Sequence, residues 1–169
     1  MANKLRDRLA QCNIEGLKAE QHFKLLMEAE GKFVLPATKE QNIFEHVDFW
    51  VDNKGIDVKG NRHLDCIWLE INNVKGKAGW LRGQADYIVF DIKELKQFCF
   101  FARTDLLAYC EQITDRAVSK DDFNKLYTRF GRQDLLVKVR YDDIKDLQKG
   151  YLSYTDEKLQ RLSDTHNQS

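Results

Sequence analysis

The sequence predicts an α/β fold, a mixed β-sheet flanked by helices, on the strength of three patterns. Residues 15–30 repeat at helical spacing, residues 46–59 alternate as the two arms of a hairpin, and Tyr87-Ile88-Val89-Phe90 and Phe98-Cys99-Phe100-Phe101 are unbroken apolar runs. Unbroken runs belong to strands buried on both faces, so other layers must cover the sheet. The 169 residues include one proline and no Gly/Ser-rich tract, which suits one domain with a sizeable core and no linker. Residues 1–154 read as that domain and residues 155–169 as a polar C-terminal tail.

In the first helix, at about 100° per residue, Leu17, Phe23 and Met27 form an apolar stripe with Glu20 in its middle. A carboxylate on a buried face costs free energy unless it is paired or binds a cation. A helix-edge glutamate held by a neighbouring lysine or arginine is the other reading.

The hairpin sorts by parity. Val47, Phe49 and Val51 on one arm and Ile56 and Val58 on the other must share the buried side. Pairing Phe49 with Val58 satisfies this and sets Asp48 opposite Lys59, with Asp57 diagonally adjacent. A slip of one residue mixes the faces. Two carboxylates beside an ammonium suit a divalent cation that binds a phosphate, with the lysine free to orient or deprotonate an attacking water. A solvated hairpin face has the same pattern. His46 shares the face of Asp48, either touching this cluster or serving as an ordinary surface residue.

A helix glutamate (Glu20), a strand aspartate (Asp48) and an Asp57-Val58-Lys59 triplet on the next strand, in that order, resemble the PD-(D/E)xK nuclease superfamily, especially its Holliday-junction-resolvase-like and phage-encoded branches. The resemblance spans residues 15–92. Val47 stands where the motif's proline often precedes the first strand acid. The resemblance implies a restriction-endonuclease-like core and a metal-dependent DNA endonuclease, one acting on branched or flapped DNA being a natural case. It implies that Glu20, Asp48, Asp57 and the Val58 backbone carbonyl hold one or two Mg²⁺ ions, for which Mn²⁺ can substitute, while Lys59 positions the water. It also places Gln84 beside the catalytic lysine, and it makes a homodimer and a phage protein working in host cytoplasm natural expectations. Two other readings stand: a noncatalytic nucleic-acid-binding or interaction module on the same fold, and a metal-dependent hydrolase of nucleotides or other phosphate esters.

Residues 64–72 alternate next, with Ile67, Leu69 and Ile71 on one side and Cys66, Trp68, Glu70 and Asn72 on the other. If this strand continues the antiparallel meander, Glu70 joins the face of Asp57 and Lys59. It is then a further metal ligand, a general base, or a cross-strand partner of Lys59 worth up to about 1 kcal/mol. Residues 72–86 carry Gly76, Gly79 and Gly83 among Lys75, Lys77, Trp80 and Arg82. The glycines permit close backbone approach, so the three cations can meet phosphates of DNA while Trp80 stacks on a base or wedges at a junction. Alternatively, Trp80 caps the core of a structural loop.

Strands follow at 86–92 and 97–102, then a helix from Thr104 or Asp105 to about Ile113 with Leu106, Leu107 and Cys110 inward. After a polar stretch at 119–124, residues 135–139 read as a last edge strand and 141–147 as a short helix covering it. From Thr155 the polar pattern predicts a frayed helix or tail. Arg129 and Arg132 flank Gly131, as a phosphate contact or as a salt-bridged turn with Asp134 or Asp122.

The formal charge of zero argues against a protein that coats nucleic acid through overall basicity, but a carboxylate-rich site can offset a local basic surface. Cys12, Cys66, Cys99 and Cys110 have no zinc spacing and read as reduced thiols, and the four histidines form no ligand pattern. With no signal peptide and no membrane-length apolar stretch in view, membrane insertion and secretion are not expected, and the cytoplasm is the expected location.

Overall fold

The computed structural model describes residues 2–169, with side chains described for Lys4 and from residue 10 onward. The chain is α/β with a mixed sheet. Helix α1 (Ala2–Ala29) leads into β1 (Val34–Pro36), β2 (Phe49–Val51), β3 (Lys54–Arg62) and β4 (Ile67–Asn72). Strands β5 (Tyr87–Ile92) and β6 (Gln97–Ala102), helix α2 (Arg103–Glu111), β7 (Leu126–Tyr127) and β8 (Leu135–Val139) follow. The chain closes with α3 (Tyr141–Ile144), β9 (Gln148–Ser153) and α4 (Asp156–Asn167). Six strands form the main sheet in the order β1-β2-β3-β5-β6-β9, and β4-β8-β7 form a second sheet of three. Among the described strand-to-strand pairings only β3–β5 is parallel.

The apolar runs of β5 and β6 put them in the middle of the main sheet, as their composition requires. Val89 and Phe98 face one core with Ala19, Phe23 and Leu26 of α1 and Leu159 of α4. Ile88, Phe90, Cys99 and Phe101 face the other, with Ile67 and Leu69 of β4, Val137 and Val139 of β8, and Leu106 of α2.

The hairpin register differs from the expected one by two residues. Phe49 pairs with Ile56, not Val58, because the turn is only Asp52-Asn53, both at positive φ (48° and 65°). A two-residue turn of that kind fixes the register through Val51 and Lys54. An even shift leaves every side chain on its expected face, and it sets Asp48 level with Asp57 rather than with Lys59.

Strand β4 does not continue the meander. It leaves for the second sheet, and β5 takes the place beside β3. A strand with one polar face suits a layer with a solvated side, whereas β5, apolar on both faces, needs the interior position. Strand β8 is likewise central to the second sheet rather than a last edge, and β9, not expected at all, forms the edge of the main sheet beside β6. The pattern of β9 is alternately half-buried and exposed, without the apolar strength that would mark it in sequence.

Two helices also depart from expectation. Among the described residues of α1 the buried ones are Ala19, Phe23 and Leu26, while Leu17 is 67% exposed; Leu17 sits roughly 160° round from Ala19 at helical pitch. Residues 155–169 do not trail away. Thr155 caps α4 by accepting a hydrogen bond from the Lys158 amide (3.1 Å), and Leu159 is buried against α1 and the sheet. Two leucines in the right phase, Leu159 and Leu162, anchor this polar helix. Among the described residues no helix is long and apolar enough to cross a membrane.

Candidate functional site

The site lies where β2 and β3 part. Asp48 N still donates to Ile56 O (2.8 Å), but Val47 N turns away to Gln41 O (3.2 Å). This leaves the Val58 amide without a backbone partner on β2, and the Asp48 carboxylate takes it, Oδ2 accepting at 2.7 Å. Asp48 Oδ1 accepts from Asn42 Nδ2 at 2.6 Å. Asn42 comes from the π-helical turn Gln41–Glu45, whose entry is fixed by a reciprocal pair: Thr38 N to Gln41 Oε1 (2.9 Å) and Gln41 N to Thr38 Oγ1 (3.2 Å).

Helix α1 brings Glu20 to the same place. A Cβ added to Gly60 of β3 would stand 2.6 Å from the Ala19 Cβ, so the helix crosses the strand at a distance only glycine permits. Glu20, next along the helix, then lies close enough to Asp48 and Asp57 for their charges to act on it, as that of Asp48 acts on Asp57. Asp57 is 3% exposed. Its Oδ1 is 3.0 Å from Lys59 Nζ, and its Oδ2 is shielded from solvent with no hydrogen-bond partner.

These carboxyls resist ionisation. Burial, then the nearby charge of Asp48, pushes the Glu20 carboxyl up to about 8, with a smaller contribution from Asp57. Burial also pushes Asp57 up to about 7, against the pull of Lys59 and with the push of Asp48. In both cases desolvation outweighs the lysine's attraction.

Lys59 stands 5.0 Å from the centre of the Trp80 ring. Trp80, in the 3₁₀ turn Trp80–Arg82, is 7% exposed and packs edge-on to Phe90. It is therefore a core residue that floors the lysine, not a base-stacking side chain. His46 also faces Lys59: burial, then the Lys59 charge, lowers its pKa, while Glu70 and a hydrogen bond to the Ala78 backbone oppose the shift. Glu70 belongs to the second sheet and packs on Gly79, where a Cβ would lie 2.7 Å from Glu70 Cγ. It neighbours His46 rather than Asp57, because β4 left the meander.

The remaining expected residues are more dispersed. The Val58 amide donates to the Asp48 carboxylate, on the strand edge where its carbonyl was expected to hold metal. Gln84 is exposed and ties its backbone amide to Glu45 O (2.8 Å). Lys75 and Lys77 are exposed on a turn organised by Asn73 Oδ1, which accepts from both of their amides. Exposed Arg82 donates to Asn72 Oδ1 at 2.8 Å. Arg129 donates its amide and Nε to buried Asp134, so the arginine-glycine turn is the salt-bridged one. Asn42 was missed, since nothing in a lone asparagine six positions before Asp48 marks it, although Thr38-Lys39-Glu40-Gln41 spells the capping pattern that positions its turn.

The donor set fits a hard divalent cation: three carboxyls, two of them kept from ionising by burial and each other, and one buried oxygen without a donor. Among the described residues, however, no three His, Cys, Asp or Glu side chains already converge as a ligand set. Both Asp48 oxygens are already engaged, by Asn42 and by the Val58 amide. Comparison with protein families, characterised proteins and solved structures yields no match.

Proposed function

We propose that this protein is a metal-dependent DNA endonuclease on a restriction-endonuclease-like core, the reading its PD-(D/E)xK resemblance implies. The observation that carries it is Asp57: a buried carboxylate whose second oxygen has no partner, flanked by two more acids and a lysine. A structural aspartate in that position would be expected to have its oxygens satisfied.

Glu20, Asp48 and Asp57 would hold Mg²⁺ or Mn²⁺. When bound, the ion supplies Lewis-acid activation of water and neutralises charge at the phosphate. Lys59, fixed between Asp57 and the Trp80 ring, orients the attacking water and stabilises charge that develops on the phosphate oxygens. Asn42 ties the Gln41–Glu45 turn to Asp48.

Cleavage of labelled linear, flapped and four-way-branched DNA with Mg²⁺ or Mn²⁺ tests the reading. Wild type is expected to cut, and Asp57→Ala and Lys59→Ala to lose at least ~100-fold in rate. Folded Asp57→Ala protein cutting at the wild-type rate would overturn it.

A noncatalytic nucleic-acid-binding module is the second reading, favoured by the absence of a ready metal-ligating set among the described residues. Such a module gains no thermal stability from Mg²⁺ or Mn²⁺, whereas a competent site does.

A further inference from the structure

Past Lys59 the edge of β3 carries a feature that the acid cluster does not use. The pairing with β5 runs from Lys59–Phe90 to Arg62–Ile92, so β3 holds one extra residue in this interval. The bulge falls at Gly60-Asn61, with Asn61 at φ 54°. In a regular strand residues 59 and 62 would face opposite ways; the extra residue turns Lys59 and Arg62 to the same side. Both line a cavity of about 290 Å³ between α1 and the open edge of β3, with Cys12, Gly16 and Asn61 in its wall.

Arg62 is held ready there. Its Nη1 donates to Gly60 O at 2.7 Å, which fixes the guanidinium plane, while Nε is shielded from solvent and has no acceptor. No ion pair among the described residues engages it. Glu15, the acid in the cavity wall, is turned to Asn61 Nδ2 (3.0 Å) and Gln11 Nε2 (3.3 Å). Arg62 is half-buried, the charge of Asp57 reaches it without an ion-pair contact, and its planar fork matches phosphate oxygens.

We infer that Arg62 is a phosphate-binding residue, holding the backbone phosphate next to the one placed at Lys59. Two strand steps separate the side chains, about 6.6 Å, a distance suited to neighbouring phosphates of one strand. The anion's identity as a nucleic-acid phosphate rests on the nuclease reading. The strand would run along the free edge of β3, from the acid cluster toward α1.

The test is binding of labelled duplex and branched DNA by the full chain in Ca²⁺ across a NaCl series, alongside cleavage in Mg²⁺. Arg62→Gln is expected to bind ~10-fold more weakly and to reduce the salt slope by about one, and Arg62→Lys to keep most of the slope with intermediate affinity. Unchanged affinity and slope in folded Arg62→Gln would overturn the inference. If the variants fail to fold, wild-type Cys12 supplies the reading. Its alkylation, followed by peptide mass spectrometry, should slow several-fold when DNA fills the cavity, and an unchanged rate with DNA bound counts against the subsite. Binding that depends on Arg62 without any cleavage would defeat the nuclease reading alone. Cleavage indifferent to Arg62 would defeat the subsite alone, and wild type that binds no DNA would defeat both.

Discussion

Three aspartates are buried among the described residues, Asp57 at 3%, Asp91 at 1% and Asp134 at 1% exposure, yet the regions that hold them treat their oxygens differently. At the end of β5, Asp91 Oδ1 accepts from the Tyr154 hydroxyl (2.6 Å) and Oδ2 from Lys93 Nζ (2.9 Å). In the turn between β7 and β8, Asp134 takes the Arg129 amide on one oxygen and Arg129 Nε on the other. These are closed polar sites, each tying a loop to the core. At the edge of β3, Asp57 has Lys59 on one oxygen, nothing on the other, and two further acids nearby. Burial alone does not separate these three carboxylates; hydrogen-bond satisfaction does.

The contrast predicts opposite responses to similar substitutions. Asp134→Ala leaves the Arg129 amide without its acceptor and should cost about 2–3 kcal/mol, read as a lower urea midpoint at unchanged m-value. An unchanged midpoint would remove Asp134 from the closed class. Next in size, Gly60→Val drives a side chain into Ala19 and should cost about 1–3 kcal/mol. It should also reduce cleavage, because α1 carries Glu20; full activity after that loss would detach Glu20 from the site. Asp57→Asn goes the other way. Neutralising an unsatisfied buried carboxylate should stabilise the metal-free protein by about 1 kcal/mol at pH 8, and a lower melting temperature would place Asp57 with Asp91 and Asp134.

The pH dependence follows from the raised carboxyls. Glu20 at about 8 and Asp57 at about 7 bind protons more tightly folded than unfolded, where such groups titrate near 4. Their contribution to metal-free stability is therefore fully present below about pH 4 and lost as pH rises through 7 and 8. Melting temperatures without divalent ions should fall across that window from these two groups, and Glu20→Gln combined with Asp57→Asn should flatten the fall. Saturating Mg²⁺ should lessen it, since binding favours the ionised carboxyls. A slope identical in the double variant would show that other groups set it.

Much of this was legible in the sequence because it depends on parity and order. Alternation in residues 46–59 placed Asp48, Asp57 and Lys59 on one side even though the register moved by two, since an even shift preserves faces. The unbroken runs of β5 and β6 announced a sheet covered on both sides. What escaped was what parity does not encode. Which strand lies beside β3 depends on layer packing, so Glu70 was set next to Asp57 when it belongs beside His46. Trp80, set in a glycine-rich run, pointed equally to a base-stacking platform and a core cap; contacts with Phe90 and Lys59 decide for the core. Arg62 was invisible because its direction is made by a bulge, and one inserted residue inverts everything after it. The weak apolar content of α4 hid a docked helix, since one buried leucine in phase carries little sequence signal.

The measurement that bears most directly on the unpartnered Asp57 oxygen is calorimetric titration of Mn²⁺ into wild type and Asp57→Asn at pH 8, with melting temperatures taken before and after. The account predicts saturable binding and a raised melting temperature for wild type, and neither for Asp57→Asn, which begins the more stable of the two without metal. Equal Mn²⁺ binding by both proteins, or none by wild type, would contradict it.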